Sequence, residues 1–300
     1  MKDGQISATT LMFTFFCDVV IQHGGEIWLG NIIQILAPLG INDRLTRTAV
    51  FRLVKDGWLE SRKQGRRSHY RLTTTGENYY QRAAGRIYAS DAPAWDGTWT
   101  LAFTSQVSDD KRDALNRGLL WLGYGRLANS VFALPCYPHP ALDELLKDLD
   151  LGDSMVLMQA RAENNENLQR LLSSQWKLTG LQEDYQRFIG HYREAGEILE
   201  KTKSPKAHHL LLLRILLIHE YRKILLSDPE LPAIMLPDNW PGSEARRLTA
   251  GLYRQLQDPT ASWLKRELPG LKASEPVGSD TGKCRFPLSS QTPECRTRNG

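Results

Sequence analysis

Residues 42–72 contain a helical hydrophobic pattern followed directly by two alternating segments around a glycine. Asn42 suits a helix N-cap and Gly57 suits a helix end, so the run from Asp43 to Asp56 is predicted to be a helix. At about 100° per residue, its side chains divide between two faces. The face that suits a core holds Thr46, Ala49, Val50 and Leu53, and the opposite face holds Arg44, Arg47, Thr48, Phe51 and Lys55, with Arg52 at the flank.

The residues after this helix predict a β-hairpin. Two alternating segments, 58–63 and 66–72, flank a turn predicted at Gln64-Gly65. Three side chains would face the core and three basic side chains would lie at the tip. The core set is Trp58, Tyr70 and Leu72, and the tip set is Lys63, Arg66 and Arg67.

The neighbouring segments complete a known kind of unit. Residues 9–22 and 29–39 predict two helices, with a tight turn at 23–26 between them, and residues 73–88 predict a further helix. Three helices followed by a basic hairpin form a winged helix-turn-helix, in which the third helix enters the major groove of DNA and the hairpin contacts the backbone.

The charge distribution agrees with this interpretation. The chain has a net charge of +4, but residues 41–86 alone hold eleven Lys or Arg against four Asp or Glu, a net +7. A basic stretch alone is often only a solvated surface. Here the charge coincides with a polar helix face and a hairpin tip, and this favours double-stranded DNA as the partner. The predicted DNA-binding residues are Arg44, Arg47, Thr48, Arg52, Lys55, Lys63, Arg66 and Arg67.

Length and composition limit the remaining possibilities. Three hundred residues predict two or three domains, and no apolar run is long enough to cross a bilayer, so no membrane partner is expected. The four cysteines have neither CxxC spacing nor a disulfide framework, which favours a reducing cytoplasm.

The middle of the chain predicts a second domain. Residues 98–104, 126–134 and 154–162 have strand character, and helical patterns at 109–122 and 140–149 alternate with them. The resulting order of strand, helix, one or two strands, helix and strand predicts a ferredoxin-like α/β sandwich. We interpret it as a spacer or dimerisation unit.

The C-terminal half predicts helices and no catalytic centre. Helical segments are expected at 168–176, 185–201, 205–226 and 243–256. His208 and His219 return to nearly the same helix face, but they lie three turns apart, too far to bind one metal ion. His219 lies in a leucine-rich stretch and is predicted to be a core histidine. No nucleophile elbow, P-loop or dinucleotide fingerprint occurs, so the sequence predicts neither an enzyme nor a cofactor.

Several motifs together resemble the PaaX-type repressors of phenylacetate-degradation operons. These are the runs 23–30, 47–58, 65–70, 93–99, 216–222, 228–232 and 236–242, which occur in the family's order between about Thr10 and Leu268. The resemblance implies a homodimeric repressor that an aryl-CoA thioester, phenylacetyl-CoA in the expected case, releases from its operator. The effector-binding residues stay unassigned. The cations considered are Arg214, Arg222, Lys223, Arg246 and Arg247, and the aromatic residues are Trp176, Tyr185, Trp240 and Tyr253.

Two other functions remain open from the sequence. The chain could bind DNA without a small-molecule effector. The family's central domain is also similar to a CRISPR-associated nuclease, and Asp109 and Asp110 follow its first strand, although paired acids at a helix start are more often capping residues.

The predicted fold is α+β. Its domains are a winged helix at 1–90, a ferredoxin-like domain at 91–163, an all-α domain at 164–268 and a disordered tail at 269–300. The tail departs from the family's pattern, which leaves the effector response open.

Overall fold

The computed structural model describes residues 7–89, 95–135, 141–151, 155–161, 170, 176, 178–229, 231–267 and 285–286. This part of the chain contains helices and two antiparallel sheets, which confirms the α+β class. The chain divides into two compact units. The first comprises residues 1–90, 188–222 and 244–300, and the second comprises 91–187 and 223–243. The predicted boundary after residue 90 recurs in this division, whereas residues of the predicted all-α domain occur in both units.

The first unit begins with three helices, α1 (Ala8–Asp18), α2 (Leu29–Leu36) and α3 (Asp43–Lys55). The helices predicted at 9–22 and 29–39 end earlier than expected, because their last residues form separate 3-10 turns. Each of these turns ends at a glycine in the left-handed conformation.

A three-stranded sheet accompanies these helices. Its strands are β1 (Glu26–Trp28), β2 (Leu59–Gln64) and β3 (Arg67–Leu72), in the antiparallel order β1-β3-β2. The sequence predicted a turn at 23–26 and missed β1, a strand of three residues that is too short for an alternating pattern. The hairpin turn is also one residue later than predicted. Gln64 pairs with Arg67, and the turn is Gly65-Arg66, where Gly65 has a φ of 62°.

The helix α4 (Thr74–Ile87) follows β3 and starts at the Thr73 cap, as the sequence predicted. The core of this region consists of buried side chains from all its elements. They include Leu11, Phe15, Ile32, Ile35, Val50, Leu53, Leu72 and Tyr80.

Three long helices follow later in the chain, namely α7 (Leu178–Lys201), α8 (Ala207–Leu225) and α9 (Gly242–Glu267). The helix predicted at 168–176 lies outside the described residues except for positions 170 and 176. The sequence also ended the last helix too early, at 256, because α9 continues past Pro259. The buried Thr260 hydroxyl donates to the carbonyl of Leu256 over 2.7 Å, and burial of this turn supports the helix beyond the proline.

The second unit contains a four-stranded sheet with two helices. Its elements are β4 (Trp99–Phe103), α5 (Asp109–Trp121), β5 (Gly125–Ala128), β6 (Val131–Leu134), α6 (Ala141–Asp148) and β7 (Val156–Ala160). This βαββαβ order agrees with the predicted order of strand, helix, one or two strands, helix and strand, and the structure has two strands at 125–134. The strands are antiparallel and arranged β5-β6-β4-β7, so β7 is an edge strand of the described sheet.

The segment 269–300, predicted to be a disordered tail, lies outside the described residues except for Arg285 and Phe286. Both are buried in the first unit. A segment poor in aliphatic residues can thus dock through one cation and one aromatic ring.

Candidate nucleic-acid interface

The helix α3 has the two faces that its sequence pattern predicts. Its four buried residues are Thr46, Ala49, Val50 and Leu53. All five predicted DNA-binding residues of this helix are exposed, namely Arg44, Arg47, Thr48, Arg52 and Lys55. Phe51 lies among them and is 70% exposed, which is unusual for a phenylalanine. The helix therefore offers a basic surface that also carries one aromatic ring.

Two local interactions order the start of this surface. The Nε of Arg47 lies 2.6 Å from a carboxylate oxygen of Asp43, one turn earlier, and both side chains are more than half exposed. The hydroxyl of Thr48 donates to the carbonyl of Arg44 over 2.8 Å. An exposed pair of this kind contributes little stability and is weakened by salt, so the Arg47 guanidinium can exchange Asp43 for another acceptor.

The hairpin carries the remaining predicted residues, Lys63, Arg66 and Arg67, and all three are exposed. The Arg67 guanidinium carbon lies 4.6 Å from the centre of the Trp28 ring in β1. That ring packs against Gly30, where an added Cβ would lie only 2.4 Å from the indole. Gly30 thus lets Trp28 lie where it supports Arg67.

Short backbone links fix the hairpin relative to α3. The amide of Trp58 donates to the carbonyl of Leu53 over 2.9 Å, and the amide of Thr73 donates to the carbonyl of Trp58 over 3.1 Å. The Trp58 ring contacts the rings of Phe13 and Tyr79 at centroid distances of 5.5 and 5.0 Å. The basic helix and the basic hairpin are therefore joined by direct backbone hydrogen bonds and a shared aromatic contact.

The first unit also contains a buried ion cluster that the sequence did not predict. The Asp18 carboxylate accepts from Arg214 Nε over 2.9 Å and from Arg285 Nη1 over 2.6 Å. Burial alone would raise the pKa of Asp18, but the two guanidinium groups outweigh this effect and lower the pKa from 3.8. Burial also raises the pKa of the neighbouring Cys17 thiol to about 12. One available signal was the aspartate within the apolar run 11–21, because a buried acid requires a partner.

The candidate effector-binding residues named from the sequence occur in both units. Arg214 and Tyr253 belong to the buried ion cluster, with Tyr253 donating to Asp18 over 3.0 Å. Arg222 donates to the hydroxyl of Thr14 over 2.8 Å in the first unit. By contrast, Tyr185 donates to Asp228 over 2.6 Å within the second unit.

His219 and the paired acids Asp109 and Asp110 have contacts that suit a structural role. His219 is 3% exposed and its Nδ1 lies 3.1 Å from the Thr14 hydroxyl, which confirms the predicted core histidine. Asp109 pairs with Arg112 in the first turn of α5, and a hydrogen bond from Ser108 lowers the pKa of Asp110. Within the described ranges, no group of three potential metal ligands occurs.

No helix in the described part of the chain combines the length and the apolar composition that a bilayer crossing requires.

Comparison with known proteins places this architecture in a family. Residues 7–76 match the model of PaaX-like proteins, residues 92–172 match the central Cas2-like domain of PaaX proteins, and residues 176–266 match the C-terminal domain of PaaX-like proteins. Among solved structures, an uncharacterized protein from Mycobacterium tuberculosis has a similar fold. It is 20% identical, with a TM-score of 0.56 over 86% of this chain and 99% of that chain.

A curated relative matches most of the chain. The transcriptional repressor PaaX of Escherichia coli strain K12 is 34% identical over 258 residues, which cover 84% of this chain and 81% of the relative. The three matching domain models follow one another along the chain, in keeping with the order of motifs in the sequence. The chain therefore belongs to the PaaX family of transcriptional repressors.

Proposed function

We propose that this protein is a DNA-binding transcriptional repressor of a phenylacetate catabolic operon and that an aryl-CoA thioester releases it from its operator. The observation that carries the DNA-binding part is the exposed basic face of α3 beside the basic hairpin β2–β3. The identity of 34% to a transcriptional repressor supports the regulatory part.

The first three helices and the hairpin would act as a winged helix-turn-helix. The order α1, α2, α3, β2, β3 and the burial of one face of α3 support this assignment. In that arrangement Arg44, Arg47, Thr48, Arg52 and Lys55 reach the major groove, where Arg can bond guanine O6 and N7 together. Lys63, Arg66 and Arg67 contact the flanking phosphates.

The repressor would bind as a homodimer through the ferredoxin-like part. Among the described residues, β7 pairs with β4 on one side only, and three of its apolar side chains are exposed. Their exposed fractions are 47% for Val156, 38% for Leu157 and 53% for Met158. Pairing with a second copy would cover this edge. A dimer would place two α3 helices in successive major grooves about 10 bp apart.

We expect Met158→Lys to convert the dimer into a monomer, because a charged side chain on an edge strand opposes strand pairing. Multi-angle light scattering of the full chain measures the change. Leu120→Lys is the matched control. Leu120 is an exposed leucine of α5, 52% exposed, and not part of the β7 edge, so its replacement should leave the dimer intact. A Met158→Lys protein that stays dimeric would place the interface elsewhere.

The release by effector is tested on the protein's own upstream DNA. A gel shift at fixed salt should show specific binding that phenylacetyl-CoA abolishes and that free phenylacetate or free CoA leaves unchanged. An effector must bind one of two states of the repressor more tightly to shift their populations. Specific binding that ignores the thioester would retain the DNA-binding part of the proposal and reject the effector.

A further inference from the structure

The segment Arg285–Phe286 occupies a cage in the first unit. The Arg285 side chain is 2% exposed, and its Nη1 donates to both the carboxylate and the carbonyl of Asp18, at 2.6 and 2.8 Å. Its Nη2 donates to the carbonyl of Cys17 over 3.0 Å and to the Tyr80 hydroxyl. The guanidinium carbon lies 4.1 Å from the centre of the Tyr88 ring. This cage of aromatic rings and acceptors therefore binds one guanidinium group.

The second residue of the segment is held as closely as the first. Phe286 is 1% exposed, and its ring lies 5.6 Å from that of Tyr88 and 5.3 Å from that of Tyr253. Its amide donates to the carbonyl of Tyr88 over 2.8 Å. Its own carbonyl accepts from Arg254 Nη1 over 3.2 Å. The benzyl group of Phe286 and its backbone carbonyl therefore both have partners in the cage.

The charge balance of the cage allows the Arg285–Phe286 segment to leave it. Asp18 already pairs with Arg214, so the cluster holds one carboxylate and one guanidinium without Arg285. Arg285 adds a second buried cation, and its Nε has no hydrogen-bond partner within the described structure. Burial of a cation without a carboxylate of its own is costly. Release of the segment would therefore leave a neutral ion pair behind.

The chemistry of Phe286 indicates which ligand can replace it. A phenylacetyl group is a benzyl group joined directly to a carbonyl, and Phe286 offers a benzyl group one carbon away from its carbonyl. We propose that the cage around Phe286 is the binding site for the arylacetyl group of the effector and that Phe286 is its intramolecular competitor. This inference rests on the proposed aryl-CoA effector. Tyr88 and Tyr253 would contact the ring, and Arg254 would donate to the thioester carbonyl.

The position of the cage connects it to the DNA-binding surface. Tyr88 follows the last residue of α4, and α4 begins two residues after the hairpin strand β3. Docking of the segment ties this end of α4 to Tyr253 and Arg254 of α9. Exchange of Phe286 for the thioester would break the hydrogen bond from the Phe286 amide to the Tyr88 carbonyl. It would thereby change a contact at the end of α4, the helix that follows the hairpin strand β3.

Titration calorimetry of phenylacetyl-CoA with full-length variants tests the exchange. A segment docked in about nine molecules of ten lowers the apparent affinity about tenfold, so Phe286→Ala should bind the thioester about tenfold more tightly than the parent. Adding Arg254→Met to Phe286→Ala should weaken binding about tenfold relative to Phe286→Ala alone, since the thioester carbonyl loses its donor and the competing Phe286 ring is already absent. Ile198→Ala is the matched control, because it removes an exposed apolar side chain of α7 that is distant in sequence from the cage, and it should leave the affinity unchanged.

A second measurement avoids any loss of folding. With 4-fluorophenylalanine at position 286, the fluorine resonance should move to its solvent-exposed value when phenylacetyl-CoA saturates the protein. A resonance that stays in place at saturation would overturn the exchange, as would equal affinities of the parent, Phe286→Ala and Phe286→Ala/Arg254→Met proteins, while the proposed effector would stand. Failure of every variant to bind the thioester would reject both the effector and this site.

Discussion

Replacement of Asp18 with Asn should lower the free energy of unfolding by about 3–5 kcal/mol, the range found when one partner of a buried ion pair is removed. Asp18 and Arg214 are both fully buried, and the side chain of Arg285 is 2% exposed. The amide keeps the shape of the carboxylate but not its charge. The Arg214 guanidinium would then remain buried without a counter-ion, and the docked Arg285 would lose its carboxylate acceptor. Urea unfolding followed by tryptophan fluorescence measures the loss.

Two further variants test whether the loss of stability comes from the buried charges around Asp18. Glu60→Gln breaks the exposed pair with Arg71 in the same unit and should change the free energy of unfolding by about 1 kcal/mol or less. Adding Arg285→Met to Asp18→Asn removes one of the two unpaired cations and should recover part of the loss. If Asp18→Asn were as mild as Glu60→Gln, the buried cluster would not support the first unit as described.

The parent and the Asp18→Asn protein should also differ in how their free energy of unfolding depends on pH. The pKa of Asp18 is lower in the folded chain than its ordinary value of 3.8. Its stabilising contribution is therefore complete above pH 3.8 and is lost as the pH falls through the folded-state pKa. The difference in unfolding free energy between the parent and Asp18→Asn should be constant near neutral pH and should narrow below pH 4.

Local patterns made the candidate interface predictable from the sequence. The four buried residues of α3 and its exposed cations follow from the helical period, because a helix of thirteen residues has enough turns to define two faces. Asn42 marked the start of this helix, and its side chain accepts from the amide of Leu45 over 2.9 Å. The order of strands and helices in the second unit was also predictable from the apolar pattern of each element, except that 126–134 left open whether one or two strands are present.

Long-range partners were not predictable in this way. The Asp18–Arg214 and Asp18–Arg285 contacts join residues 196 and 267 positions apart, and no local pattern records such a separation. The strand β1 has only three residues, and it exists because β3 offers a free edge to Glu26, Ile27 and Trp28. Arg285 and Phe286 lie in a segment with few aliphatic residues, where composition predicts disorder although one dipeptide docks.

Base recognition by α3 should be separable from phosphate contact by the hairpin. Arg47→Ala should cost about 1–3 kcal/mol of binding free energy at one base pair and relax the preference there. Arg66→Ala should weaken binding to all sequences alike, and it should reduce the slope of log K against log salt concentration by about 1. The physical reason is that Arg47 lies on the exposed face of a helix suited to a groove, whereas Arg66 lies in a hairpin turn.

Binding to an operator library that contains every base pair at each position, repeated at several salt concentrations, distinguishes the two roles. Arg117→Ala removes an exposed cation of α5 in the second unit and serves as the control, with no expected change in either quantity. Equal, sequence-independent losses for Arg47→Ala and Arg66→Ala would show that α3 contacts only the backbone. A loss for Arg47→Ala that depends on the base at one position would instead require its guanidinium to leave Asp43, 2.6 Å away, for a base edge. The Asp43–Arg47 pair would then order the free repressor and yield to the base on binding.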